Sequence, residues 1–228
     1  MNSHYTYLLI NLLSVFFPFV LSFDNKVAFY KSWKYSFPAI IITGVFFVLW
    51  DILFTANGVW SFNPEYILGI YIFNLPLEEV MFFLCVPYSC VFIYDVMNAY
   101  VSRDVLGSCG KNISILVSVF SAIACILYYD RTYTIVNAGI CLGLVLFATF
   151  IYKFRNLGRF YLAFLVSLIP FLIVNGLITG LPIVIYNDHE NMGIRIFQIP
   201  LEDVFYCMSL LLGSVLLTDY FKQRTIKE

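Results

Sequence analysis

The sequence predicts an all-α integral membrane protein of about seven transmembrane helices. Three observations carry this expectation. Hydrophobic residues make up 61% of the 228-residue chain and charged residues 12%, whereas a soluble domain is about half apolar and about a quarter charged. The apolar residues gather into runs near the roughly 20 residues that a helix needs to cross hydrocarbon. The basic residues between those runs fall almost wholly on one side.

The expected spans are residues 5–23, 37–55, 74–97, 113–129, 135–152, 160–178 and 198–221. The first could be mistaken for a signal peptide. Residues 1–9 carry no Lys or Arg, however, and the run ends without a small-residue cleavage pattern, so it reads as a retained helix. The third and seventh spans are open to an earlier start. Residues 66–73 and 194–197 are also apolar, and Pro76 and Pro200 would then kink the helices from within. With these spans, Lys26, Lys31, Lys34, Arg103, Lys111, Lys153, Arg155, Arg159, Lys222, Arg224 and Lys227 share one side, and only Arg131 and Arg195 the other. The positive-inside rule then puts the amino terminus outside and the carboxyl terminus in the cytoplasm of a multi-pass cell-membrane protein.

The chain also carries an internal repeat. Shifted by 124 residues, the stretch 51–97 aligns without gaps on 175–221. Matches include Asn63/Asn187, Gly69/Gly193, Pro76/Pro200, Glu78/Glu202 and Asp95/Asp219; Glu79/Asp203 and Asp51/Asn175 match in kind. Apolar identities are cheap in such a chain, but Pro, Glu, Asp, Gly and Asn in one register are not. The expected organisation is a first three-helix unit (1–98), a connecting helix (99–131) and a second three-helix unit (132–228). An offset of four helices makes the two copies parallel, with a shared site expected between them.

The sharpest chemical signal is acid in the membrane. Asp51, Glu78, Glu79, Asp95, Glu202, Asp203 and Asp219 lie within or at the edge of spans, and no Lys or Arg accompanies them there. An ionised side chain at the bilayer centre costs about 2.5–3.5 kcal/mol on insertion scales. An acid kept protonated in an apolar pocket is a proton donor to a weak base, and a neighbouring carboxylate can take a proton back. Asp95 and Asp219, at the span ends, have a simpler account as interfacial residues. Helix capping is the rival account of the Glu78–Glu79 and Glu202–Asp203 pairs, but it explains one acid better than two adjacent acids found twice. Trp33 and Trp60 suit an interfacial belt, while Trp50, beside Asp51, is the better pocket candidate.

Other chemistries find little support. The six cysteines show no metal spacing, and His4 and His189 are isolated, so no metal site is expected. There is no dinucleotide fingerprint, P-loop or nucleophile elbow, so no cofactor is expected. No basic patch suggests nucleic acid. The sequon at Asn112–Ser114 falls on the expected cytoplasmic side. A proton- or cation-coupled transporter using the intramembrane carboxylates is the alternative class. A retinal-binding receptor is a weaker one, since the expected seventh span has no Lys for a Schiff base.

PLEE at residues 76–79 and PLED at 200–203, with Trp50-Asp51 and VWSFNP at 59–64, resemble the small membrane lycopene cyclases of carotenoid synthesis. In that family two three-helix subunits, separate or fused, form the cyclase, and in fungi the fused unit precedes a phytoene synthase. The resemblance covers essentially the whole chain and is to the fused form. The second copy departs in two places: Asn175 stands where Asp51 does, and nothing matches Trp60. The resemblance implies a non-redox isomerase that closes β-ionone rings at the ends of a lipid-dissolved linear carotenoid. The bilayer and other carotenoid-pathway enzymes are its expected surroundings. Glu78 and Glu202 are the expected proton donors or acceptors, with Glu79 and Asp203 as partners and Asp51 as tuner or relay.

Overall fold

The computed structural model describes residues 3–227; the expected unit limits at Met1 and Glu228 lie outside them. Among the described residues there are seven α-helices: α1 (Thr6–Leu21), α2 (Trp33–Ala56), α3 (Leu77–Tyr100), α4 (Gly110–Leu127), α5 (Thr132–Leu146), α6 (Leu157–Gly180) and α7 (Glu202–Lys227). Six are long and apolar enough to cross a membrane, while α1, at 16 residues, is shorter. At about 1.5 Å per residue α1 reaches roughly 24 Å, less than the roughly 30 Å hydrocarbon core. Its outer face is apolar and exposed through Leu9, Leu13, Phe16 and Phe17, as a lipid-facing peripheral helix requires.

The central helices are α3 and α7. Helices α1, α2 and α6 pack on α3, and α2 and α5 pack on α7. Four of the buried acids, Glu78, Glu79, Glu202 and Asp203, sit on these two helices, beside the fully buried Phe83, Leu210 and Leu211. The fourth helix packs against α5 and α6, with buried Ser114 facing Tyr161 across a 2.8 Å hydrogen bond.

The third and seventh helices start late, which corrects the sequence expectation. Both are preceded by two-residue antiparallel ribbons: β2 (Tyr71–Ile72) with β3 (Leu75–Pro76), and β5 (Arg195–Ile196) with β6 (Ile199–Pro200). Pro76 and Pro200 therefore end ribbons and do not kink helices. Proline disfavours the helical region for the residue before it, so Leu75 and Ile199 stay extended and helix begins only afterwards. The ribbons turn at Phe73 and Phe197, each at φ 58° and exposed by 83% and 95%. A bulky residue at positive φ is uncommon and strained, and here it recurs in both ribbons. Gly69 and Gly193 supply the preceding left-handed bends at φ 77° and 73°.

A third ribbon joins the two halves of the chain. Strands β1 (Trp60–Phe62) and β4 (Val184–Tyr186) pair antiparallel, Trp60 opposite Tyr186 and Phe62 opposite Val184. Its flanks are reciprocal: Asn63 N–H donates to Ile183 O and Asn187 N–H to Val59 O, both at 2.9 Å. Asn63 and Asn187 are 124 residues apart, as are Val59 and Ile183. The ribbons define a hairpin end of the bundle; the opposite end carries most of the Lys and Arg residues and is called the basic end.

Candidate active site

The hairpin end places five acids under the ribbons. Glu78 and Glu79 lie in the first turn of α3, Glu202 and Asp203 in the first turn of α7, and Asp51 lies near the end of α2. All five are buried. Successive helical residues point about 100° apart, so each adjacent pair must divide between two surroundings.

Glu78 and Glu202 turn toward the loops. Glu78 Oε1 accepts the Leu68 N–H at 2.7 Å, and Glu202 Oε1 accepts the Met192 N–H at 2.6 Å and the Thr134 hydroxyl. Leu68 and Met192 are again 124 residues apart. In each case the carboxyl holds the ten-residue excursion that precedes its own helix. No side chain caps the amino terminus of α3, so Glu78 is not a helix cap. The second oxygens, Glu78 Oε2 and Glu202 Oε2, are buried without a partner.

Glu79, Asp203 and Asp51 turn the other way, into one narrow chamber between the two central helices. Its volume is about 40 Å³, room for one or two waters at about 30 Å³ each. Every acid there meets a hydroxyl. Tyr7 on α1 donates to Glu79 Oε2 at 2.6 Å, and Tyr206 on α7 donates to Asp51 Oδ1 at 3.2 Å. Asp203 accepts from Tyr133 on α5, from Tyr186 in β4 at 3.0 Å and from Asn175 on α6 at 2.7 Å. Asp51 Oδ2 has no partner. The ion pairs seen among the described residues, Arg131–Asp130, Arg195–Asp188 and Lys222–Asp95, leave all five acids without a cation.

Aromatic faces close the chamber. Trp60, Phe82, Phe83 and Phe171 line it beside the tyrosines. Trp60 stands edge-on to Phe54 and Tyr133 at centroid distances of 5.0 and 5.3 Å, and its indole N–H donates to Thr55 at 3.0 Å. This corrects two expectations at once. Trp60 is 6% exposed and belongs to the site, whereas Trp50 packs on Phe54 and does not line the chamber. Burial also raises the Tyr186 phenol well above its usual value, reinforced by the Asp203 carboxylate, so this hydroxyl stays a donor.

Asp95 and Asp219 stand apart from the chamber. They share a cavity of about 160 Å³ at the basic end with Lys222, which lies 3.7 Å from Asp95. Tyr152 donates to Asp219 at 2.8 Å. Sequence reasoning passed over the four tyrosines. Only the structure relates two of them: Tyr7 and Tyr133 are each the second residue of their helices, α1 and α5, although they are 126 residues apart and so out of the 124-residue register. Among the described residues no group of three or more His, Cys, Asp or Glu could hold a metal ion.

Comparison with known proteins bears on this arrangement. The family model for lycopene cyclase matches residues 4–97 and 130–221; the unmatched interval contains α4. A bifunctional lycopene cyclase/phytoene synthase of Aspergillus oryzae is 24% identical over 86 residues, covering 38% of this chain and 13% of that protein. One of the same description from Leptosphaeria maculans is 31% identical over 74 residues, covering 32% and 12%. The matched stretches thus span about an eighth of these relatives. No solved structure matches.

Proposed function

The chain belongs to the lycopene cyclase family, and from that premise we propose that it cyclises the ends of a linear carotenoid to β-ionone rings by proton transfer alone. The observation that carries this reading is the chamber: three carboxyls, from α2, α3 and α7, face one another among aromatic rings with no cation to pair them. Buried carboxyls so close cannot all be ionised, so the site holds at least one proton.

Ring closure needs a proton added to the terminal double bond. The resulting carbocation bonds to a second double bond, and a neighbouring C–H proton leaves. One proton enters and one departs, so the product is an isomer. The Glu79–Asp51 pair suits the donor. Each of these carboxyls has a single hydroxyl donor, and the two face each other closely enough to share a proton. Asp203 suits the acceptor, because three donors solvate its charge. The faces of Trp60, Phe83 and Tyr206 can stabilise the cation between those steps. In this reading Glu78 and Glu202 are positioning residues that hold the loops over the chamber. The same proposal takes residues 1–98 and 132–228 as two parallel copies joined by 99–131, in a cell membrane with the amino terminus outside. The paired β1 and β4 strands and the contacts recurring 124 residues apart support it.

The test is pigment analysis in a lycopene-accumulating host, repeated in deuterated water. Each new ring should gain one deuterium at the carbon protonated first, with no change in oxidation level. Unchanged lycopene in cells whose membranes contain the protein would defeat the cyclase reading. Rings without deuterium would defeat the solvent-exchanged acid.

A further inference from the structure

A linear carotenoid does not fit a 40 Å³ chamber, so the reading above leaves open where the rest of the molecule lies. An apolar space of suitable size lies beside it. Helices α2 and α5 both lean on α7. Near the hairpin end they meet through Phe54 and Tyr133, at 5.5 Å between ring centroids. Toward the basic end they part, leaving a groove of about 780 Å³ floored by α7, within the roughly 300–1,000 Å³ typical of ligand sites.

Chamber and groove share a wall. On α7 the chamber residues Asp203 and Tyr206 are followed by the groove residues Ser209, Gly213, Leu216 and Tyr220. These positions step by three or four residues and so form one stripe along a single helix face. From Ser209 to Tyr220 the stripe runs about 16 Å at 1.5 Å per residue. Phe47 of α2 lines the groove and stands edge-on to Tyr206, centroids 5.0 Å apart. That pair separates the two spaces.

The groove offers nothing to a polar ligand. The Thr43 hydroxyl is spent on Ala39 O, the Ser209 hydroxyl on Phe205 O, and the Tyr152 hydroxyl on Asp219. Two features keep it open. Gly143 of α5 lines it without a side chain, and a Cβ there would meet nothing within 4 Å. The helical path of α5 then widens into a π turn at Phe147–Ile151, a feature found often at functional sites.

We propose that this groove binds the linear polyene and that its end reaches the acids by displacing the Phe47–Tyr206 pair. The proposal rests on the cyclase reading for its ligand, and on geometry for its position. The substrate lies along α7 from the bilayer interior, so the molecule never leaves apolar surroundings. The occupant is a chain without polar groups.

Gly143→Leu tests this. Its Cβ meets nothing within 4 Å and the rest of the side chain occupies the groove, and leucine is the better helix former, so the variant should fold and resist heat as well as the native chain. Gly139→Leu is the control: a Cβ at Gly139 also meets nothing within 4 Å, but Gly139 does not line the groove. Each protein is purified into nanodiscs, and bound lycopene is measured after washing, beside ring formation and oligomeric state. Native protein and Gly139→Leu should retain carotenoid and convert it to rings, and the chamber variant Glu79→Gln should retain it as lycopene. Gly143→Leu should retain roughly tenfold less or lower and form correspondingly fewer rings. Gly143→Leu that binds and cyclises normally would overturn the proposal, leaving the groove to membrane lipid. A change of oligomeric state confined to Gly143→Leu would overturn it in favour of a second copy of the chain. Native protein that binds lycopene and forms no rings would defeat the cyclase reading while sparing the groove.

Discussion

Glu78 and Glu79 are neighbours with opposite surroundings, and exchanging each for its amide separates their roles. In Glu78→Gln the amide oxygen can still accept the Leu68 N–H that Glu78 Oε1 now accepts at 2.7 Å. The new NH2 group takes the place of Oε2, which has no partner. A buried donor left unsatisfied costs about 1–3 kcal/mol. The expected result is a less heat-stable protein that keeps more than about a tenth of native activity per folded molecule, since no proton-transfer group is lost. In Glu79→Gln the side chain can still meet the Tyr7 hydroxyl, now 2.6 Å from Oε2, so stability should change little. Proton transfer by a placed carboxyl contributes about 10²–10⁴ in rate, so cyclised pigment should fall to about 1% or less. The second copy repeats the contrast: Glu202→Gln should lose stability, and Asp203→Asn should lose rings. The assay is chromatographic pigment analysis in a lycopene-accumulating host, normalised to protein in the membrane, with thermal unfolding of the purified variants. Ring formation abolished by Glu78→Gln at native stability, or preserved in Glu79→Gln, would refute this division.

Three further expectations follow from the fold. A reporter at the carboxyl terminus should be cytoplasmic and one in the loop of residues 186–192 external; reporters on the same side would mean that α7 does not cross the membrane and would sink the seven-span reading. Separate chains of residues 1–103 and 104–228, coexpressed, should associate and restore some cyclase activity, because helices associate in lipid through packing and polar contacts; two membrane-borne halves that neither associate nor form pigment would contradict the two-unit reading. Hydrogen bonds from Arg195 and then Asn191 hold the Asp188 carboxyl below its ordinary range. A depressed carboxylate contributes stability that is present above its unfolded value, about 3.9, and lost as pH falls through the lower folded value. Protection of the loop after Asn187 against hydrogen exchange, measured relative to the intrinsic rate at each pH, should therefore be steady from pH 8 to about 5 and fall only in stronger acid, while Asp188→Asn should show the loss already at neutral pH; loosening of the native loop near pH 6 would assign its control to another group.

The helices were legible because hydropathy alone places a span in a bilayer. The expected span 160–178, for example, lies inside α6, Leu157–Gly180. The ribbons were not legible. Tyr71–Ile72 and Ile199–Pro200 are two residues long and apolar, so a hydropathy window merges them with the helices they precede. The acids stood out by being rare, but their partners did not. Tyr7 and Tyr133 reach acids 72 and 70 residues away, and nothing local marks them among 17 tyrosines. Trp50 was favoured for adjacency to Asp51, yet adjacency on a helix is a reason for separation, since the next residue points about 100° away. Trp60 returns over Asp51 because the chain reverses after α2, where Val59 N–H meets Phe54 O at 3.0 Å, and β1 then pairs with β4.

The departure of the second copy from the first carries chemical meaning once the partners are known. Tyr7 serves Glu79 in one half as Tyr133 serves Asp203 in the other. The difference lies one helix away, where Asp51 stands against Asn175. An ionised aspartate only accepts hydrogen bonds, whereas an asparagine amide also donates. Asn175 therefore gives Asp203 a donor that Asp51 cannot give Glu79 while ionised, and Tyr186 adds another. One acid is surrounded by donors that solvate a charge; the other faces a second carboxyl, a pairing that favours holding a proton between them. The proposed reaction, which adds a proton at the terminal double bond and removes one beside the cation left by ring closure, would use that inequality. Two identical halves would give two equivalent acids; in the proposed reading the exchange of Asn for Asp across the repeat, together with Tyr186, makes one half the donor and the other the acceptor.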